Sequence, residues 1–143
     1  MAKSVADKAK KCRVILDTSV LLMVYEGVDV IEEIENSLGI KCEFLIPSAV
    51  ISELVRLRNQ KTGWKGRASA VALQYIEGRA SEYKVPLSMN YRTADDAIVD
   101  IAKNFRDKFI YATVDKELKQ RLRGLNVPIL TWWFGKRKFT IVA

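Results

Sequence analysis

The chain has 143 residues, of which 49% are hydrophobic and 29% charged, so it is too apolar for a disordered polyelectrolyte. It also lacks any uninterrupted apolar run near the ~20 residues of a membrane span. Twenty-four Lys and Arg against 17 Asp and Glu leave a charge of +7, which favours polyanionic partners such as nucleic acid. The complete absence of His excludes imidazole bases, His-based triads and His-containing zinc sites, and two Cys are too few for a four-Cys zinc site.

Residues 1–12 open with "MAKSVADKAKK", a basic arm carrying Lys3, Lys8, Lys10 and Lys11. It has no apolar stretch of the kind a secretory signal needs, so a cytoplasmic setting is expected. Residues 13–143 are expected to form a single domain, since no linker, repeat or low-complexity tract interrupts them. "RVIL" before Asp17 reads as the first strand. Leu21 to Leu38 reads as one or two short helices with acidic faces (Glu32, Glu33, Glu35), closed by Gly39. "FLIP" from Phe44 is a second strand, and Ser48 looks like the cap of a helix through "AVISELVRLRNQK". Cys12 and Cys42 each precede a predicted strand. In a reducing compartment they are expected to be free buried thiols, with a bridge as the alternative.

"KTGWKGR" reads as a corner between helices. It matches neither glycine-rich phosphate loop, so no nucleotide site is assigned. "GRASAVALQYIEGRASEY" is expected to be helical throughout; "MNYR" is turn-rich; "ADDAIVDIAKNF" is a fourth helix. "FIYAT" from Phe109 is a strand, "KELKQRLRGL" a fifth helix ending near Gly124, and "VPILT" and "FTIVA" are further strand candidates. Strands alternating with helices predict a three-layer α/β/α domain around a mainly parallel sheet of about five strands.

In such sheets ligands collect at the carboxyl ends of the strands. Asp17 terminates "RVIL", Glu53 lies early in the helix after "FLIP", and Asp115 follows "FIYAT". At about 100° per residue, Asp95 shares a face with Ile98, Val99 and Ala102, whereas Asp96 stacks with Asp100 on the polar side. Each acid alone is readily explained as a helix cap or a dipole partner. Four at one sheet edge repel one another, and an oxygen-rich cluster is what Mg²⁺ or Mn²⁺ requires, which points to metal-assisted phosphodiester hydrolysis. A dehalogenase-type phosphatase would want D-x-D, but position 19 is Ser, and the acidic pair of a phospho-acceptor receiver is not clearly present. Asp17 therefore reads as a ligand rather than a nucleophile.

With Asp17, Glu53, Asp95 and Asp115 in this order, the chain resembles the PIN-domain ribonucleases over nearly its whole length. "VILDTSVLL" looks like the first-strand motif, "IPSAVISELVRL" the Glu-bearing helix, "ADDAIVDIA" the third acidic motif and "YATVDKELKQRLR" the T-x-D motif. "YRTADDAI" and "ATVDKELKQRLRGLNVPIL" look most like the PIN endonucleases of small-subunit rRNA processing, more than the VapC toxins. The zinc-ribbon extension of one related rRNA-processing branch is lacking. The resemblance implies catalytic roles for Asp17, Glu53, Asp95 and Asp115. It implies Mg²⁺ or Mn²⁺ held by Asp17, Asp95 and Asp115 with Asp96 as an auxiliary, and supporting hydrogen bonds from Thr18, Ser19 and Thr113. Position 117 is Glu where many relatives carry Asp, so it is left out of the ligands. The implied partners are structured rRNA or tRNA, an antitoxin or ribosome-assembly proteins, and a second copy in a homodimer, with no membrane. A catalytically silent RNA-binding scaffold is the non-enzymatic alternative.

Lys116, Lys119, Arg121, Arg123, Lys136, Arg137 and Lys138 form a basic segment that reads either as a surface contacting RNA phosphates without reading sequence or, on the helix, as a solvated face. Trp132 and Trp133 precede the second cluster and are read either as core or interface residues or as a stacking surface for unpaired bases.

Overall fold

Three of the four positions of β1 (Arg13–Leu16) are buried, as befits a strand covered on both faces. In the computed structural model, which describes residues 11–60, 63–84 and 93–142, it lies at the middle of the sheet. Lys3, Lys8 and Lys10 of the basic arm and the "MNYR" turn lie outside the described residues. The chain continues through α1 (Thr18–Leu21), a 3₁₀ turn (Leu22–Glu26), α2 (Val30–Leu38), β2 (Glu43–Pro47), α3 (Ser48–Asn59), α4 (Trp64–Ile76) and β3 (Ser81–Tyr83). Then come α5 (Ala94–Asn104), β4 (Ile110–Ala112), α6 (Lys116–Arg123), β5 (Ile129–Trp133) and β6 (Lys138–Val142).

The sheet has six strands in the order β3-β2-β1-β4-β5-β6, one more than expected, and only β6 runs antiparallel. The additional strand is Ser81–Tyr83, which sequence periodicity assigns to the preceding helix. That helix ends at Ile76, with Gly78 in the left-handed region (φ 76°) turning the chain into a short edge strand. From β1 the chain builds outward through β2 and β3, then returns to the other side of β1 with β4 and β5. Right-handed crossovers in opposite directions place their helices on opposite faces, giving the three layers. The reversal between β1 and β4 is the switch point at which such sheets open a cleft.

The core is aliphatic: Val14, Ile15 and Leu16 pack with Leu45, Ile46, Ile98, Ile101, Leu118 and Leu130. On the outer layer the Tyr75 hydroxyl donates to Asp29 Oδ1 and accepts the Ile31 amide at 2.9 Å, tying the start of α2 to α4. Burial and the neighbouring Asp29 push the Tyr75 phenol up to about 12.

The packing refines one expectation and corrects another. Gly66, which the corner "KTGWKGR" shares with the start of the next predicted helix, lies in the first turn of α4, where it is buried. A Cβ there would lie 2.7 Å from the Gln60 carbonyl and 3.1 Å from that of Leu57, so Gly66 lets α4 approach the end of α3. Gly66→Ala should therefore lower stability in urea unfolding: overpacking costs about 1–3 kcal/mol, against the ~1 kcal/mol that Ala gains over Gly in a helix. An Ala variant more stable than wild type would show that the helix ends part freely. Cys12 and Cys42, expected as free thiols, form a disulfide between the residues that precede β1 and β2, with Cα atoms 4.7 Å apart. Among the described residues no helix is long and apolar enough to cross a membrane.

Candidate active site

Asp17 is the residue at which β1 ends and α1 begins, and only 2% of it is exposed. Its amide donates to the Ala112 carbonyl at 3.1 Å, continuing the β1–β4 ladder to the switch point. Its carboxylate accepts from Ser19 Oγ at 2.7 Å and Thr113 Oγ1 at 2.8 Å, both on Oδ2. Ser19 Oγ also accepts the Val114 amide, and Thr113 Oγ1 that of Asp115, so the two hydroxyls are locked between two loops. Burial raises the Asp17 carboxyl above its ordinary value, and the hydroxyls of Ser19 and Thr113 counter only part of that. Capping and a loaded carboxylate thus coexist in one residue.

Asp115 caps α6 by accepting the Leu118 amide at 3.0 Å. Thr18 Oγ1 donates to Glu53 Oε1 at 2.6 Å, which joins α1 to α3 behind the site. Arg56, one helical turn on, lies 4.0 Å from the other Glu53 oxygen; sequence reading passed over it, although the i,i+3 spacing was there to be read. Thr93 caps α5 by accepting the Asp96 amide, which sets Asp95 and Asp96 in its first turn.

The two neighbours then part. Asp96 Oδ1 accepts from Arg121 Nη2 at 3.0 Å, and this ion pair links α5 to α6 at the surface. Asp95 has no hydrogen bond or ion pair with any described residue. Its carboxyl is pushed up to about 6, first by burial and then by the charges of Asp17, Asp115 and Glu53, with Arg121 opposing. Asp95 therefore senses the charges of the other three acids at the carboxyl edge of the sheet.

Asp95 should accordingly make stability depend on pH. An unfolded carboxyl ionises near 3.8, the folded one near 6, so below that window both states carry the proton and nothing is lost. As pH rises from about 4 to 6 the unfolded state ionises first and stability falls. In thermal melts with chelator, the advantage of Asp95→Asn over wild type should grow across this interval and then level off. A constant offset at all pH values would refute the assignment.

Among the described residues no three acidic side chains stand at the mutual spacing of ligands to one ion, so the expected set of Asp17, Asp95, Asp96 and Asp115 is not preformed. Asp96 is taken by Arg121, and Asp17 is held back by its hydroxyls. The chemistry of the remaining donors still fits a hard cation: they are carboxylate oxygens, and of the nearby guanidiniums Arg121 is paired with Asp96 while Arg56 stands 4.0 Å from Glu53. Of the basic residues, Lys116 and Arg123 are exposed at the two ends of α6, Lys119 is half-buried, and Lys136, Arg137 and Lys138 are exposed on the β5–β6 turn. Trp132 is buried against Phe139 at 5.0 Å between ring centres, which settles it as core, whereas Trp133 is 46% exposed.

A mainly parallel α/β sheet with carboxylates gathered at its switch point is the frame of a carboxylate-based nuclease domain. A family model described as a PIN-like domain matches residues 14–133. The chain belongs to that family, among the PIN-domain ribonucleases. It is similar to Ribonuclease VapC4 of Methanocaldococcus jannaschii, 34% identical over 120 residues that cover 82% of this chain and 88% of that protein. Among solved structures it is similar to the PIN domain endonuclease Utp24, with a TM-score of 0.73, 27% identity and 90% of each chain covered. A domain of a functionally unknown protein from M. jannaschii shares the fold, with a TM-score of 0.58, 19% identity, and 85% and 91% of the two chains covered.

Proposed function

We propose that the protein is a divalent-metal-dependent endoribonuclease that hydrolyses RNA phosphodiester bonds. The observation that carries the reading is Asp95: an unpartnered, partly buried carboxyl facing three other acids at the switch point. Family membership and the similarity to a ribonuclease and an endonuclease support it.

Asp17, Asp95 and Asp115 would hold Mg²⁺ or Mn²⁺, which when bound would activate water and stabilise charge on the leaving oxygen. Thr113 and Ser19 fix the orientation of Asp17, and Thr18 fixes that of Glu53. Glu53 is the group left to orient the attacking water. Asp96 is assigned instead to holding Arg121. Lys116, Lys119 and Arg123 with the cations of the β5–β6 turn are assigned to RNA phosphates.

The motifs "YRTADDAI" and "ATVDKELKQRLRGLNVPIL", with the likeness to Utp24, favour structured rRNA as substrate and ribosome-assembly proteins as partners in the cytoplasm. The identity to Ribonuclease VapC4 favours a second reading, a toxin-type ribonuclease that cuts tRNA or mRNA and is held by an antitoxin. Incubating the full chain with rRNA fragments and with tRNA, in Mn²⁺, Mg²⁺ or chelator, tests both. Cleavage is expected only with metal, and the RNA that is cut at discrete positions chooses between the readings; tight RNA binding without cleavage in any metal would leave a scaffold.

A further inference from the structure

β5 runs parallel to β4, and β4 to β1, so the end of β5 lies on the same edge of the sheet as Asp17 and Asp115. Leu16, Ala112 and Leu130 stand level across the three strands, and the hairpin that follows β5 begins three residues beyond Leu130. Two strand spacings separate β1 from β5, about 10 Å. The β5–β6 turn therefore lies on the acids' edge of the sheet, two strands from Asp17.

Its composition is unusual for a turn. Phe134 is 70% exposed, the most exposed large hydrophobic side chain among the described residues, and it follows the half-open Trp133. Exposed aromatics side by side call for a reason in a soluble domain. Lys136 Nζ sits 4.5 Å from the centre of the Trp133 ring. Lys136, Arg137 and Lys138 follow in succession, no acidic residue occurs between Thr131 and Ala143, and none of the three cations has an ion pair among the described residues. The platform is firmly mounted, because Trp132 on the opposite face of the strand is packed into the core on Phe139.

Aromatic rings interleaved with unpaired cations match single-stranded nucleic acid, whose bases stack while its phosphates meet the positive charge. A base-paired helix offers no free base faces to such a surface. We propose that Trp133 and Phe134 form a nucleobase-stacking platform for unpaired RNA, with Lys136, Arg137 and Lys138 on its phosphates, delivering the strand to the acid cluster. The inference rests on the ribonuclease reading for its orientation, but it predicts binding independently of cleavage.

The test is fluorescence anisotropy of a labelled twelve-nucleotide unstructured RNA with the full chain in chelator. Trp133→Ala and Phe134→Ala should each weaken binding about tenfold, the order expected for one stacked base. Trp133→Phe should keep most of the affinity while losing much of the RNA-induced quenching of tryptophan emission. Lys138→Gln should lower the salt dependence, which the aromatic variants leave unchanged. Binding of a blunt duplex should be insensitive to both Ala substitutions. Unchanged single-strand affinity in both would overturn the platform, as would loss of self-association in Phe134→Ala with RNA binding intact, which would give the patch to a second copy. Absent cleavage would instead sink the ribonuclease reading, and cleavage in chelator its metal dependence, and either would leave these binding results standing.

Discussion

Asp17→Asn is expected to lower RNA cleavage by on the order of 10²–10³-fold while raising the melting temperature. The loss follows from removing one carboxylate of the proposed metal site, whose charge stabilisation would be worth several kcal/mol, at about 1.4 kcal/mol per tenfold change in rate. The gain in stability follows from the same geometry. Asp17 is almost wholly buried, and its carboxyl is raised because desolvation outweighs the Ser19 and Thr113 hydroxyls that hold it. A neutral amide of the same shape escapes the desolvation cost, and both hydroxyls can rotate to accept from it or donate to it. Cleavage assays in Mn²⁺ and calorimetry on the same preparation test the pair of signs. Undiminished cleavage would remove Asp17 from the reaction, and a lower melting temperature would mean that its hydrogen bonds outweigh its burial.

Breaking the Cys12–Cys42 bridge should have the largest effect on stability. It closes a separation of 30 residues, and in the chain-entropy description a loop of that length contributes about 3–4 kcal/mol. Reductant should lower the unfolding free energy of wild type by that amount and move its urea midpoint down accordingly, and the Cys12→Ser/Cys42→Ser double variant should sit at the lower midpoint with or without reductant. No shift on reduction of the wild type would show that the bridge constrains nothing the fold does not already constrain. The bridge lies at the amino ends of β1 and β2, across the sheet from the acids, so cleavage well below the melting range should be the same in both redox states.

The bridge also shows where sequence reading stopped. That Cys12 and Cys42 precede strands is legible; that those strands are parallel neighbours is not. The register pairs Arg13 with Glu43, which leaves the two cysteines opposite each other. Only the pairing of distant segments carries that information. By contrast, Asp17, Asp95 and Asp115 stood out because each ends a strand or opens a helix, and Glu53 because it lies in the helix that follows a strand, features written in local periodicity. The choice of Asp95 over Asp96 was equally local: one step of about 100° on the helical wheel separates an acid aligned with Ile98 and Val99 from one on the polar side. What periodicity could not supply was the occupant of that polar side, since Arg121 reaches Asp96 from another helix. β3 was missed for a related reason, because three residues with two exposed form a strand only by pairing with β2. Trp132 and Trp133, adjacent and identical in type, part company through the two-residue period of β5, which buries one and presents the other.

The reversal of the chain at β1 divides the acids evenly. Residues up to Lys84 carry Asp17 and Glu53 with β1, β2 and β3, whereas those from Thr93 onward carry Asp95 and Asp115 with β4, β5 and β6. Neither half holds more than two of the four carboxylates, and the seam between them is the β1–β4 ladder that Asp17 itself extends. On the proposed assignment, two separately expressed fragments would each be inert, and activity regained on mixing would report their docking, the layout of a split reporter for RNA cleavage.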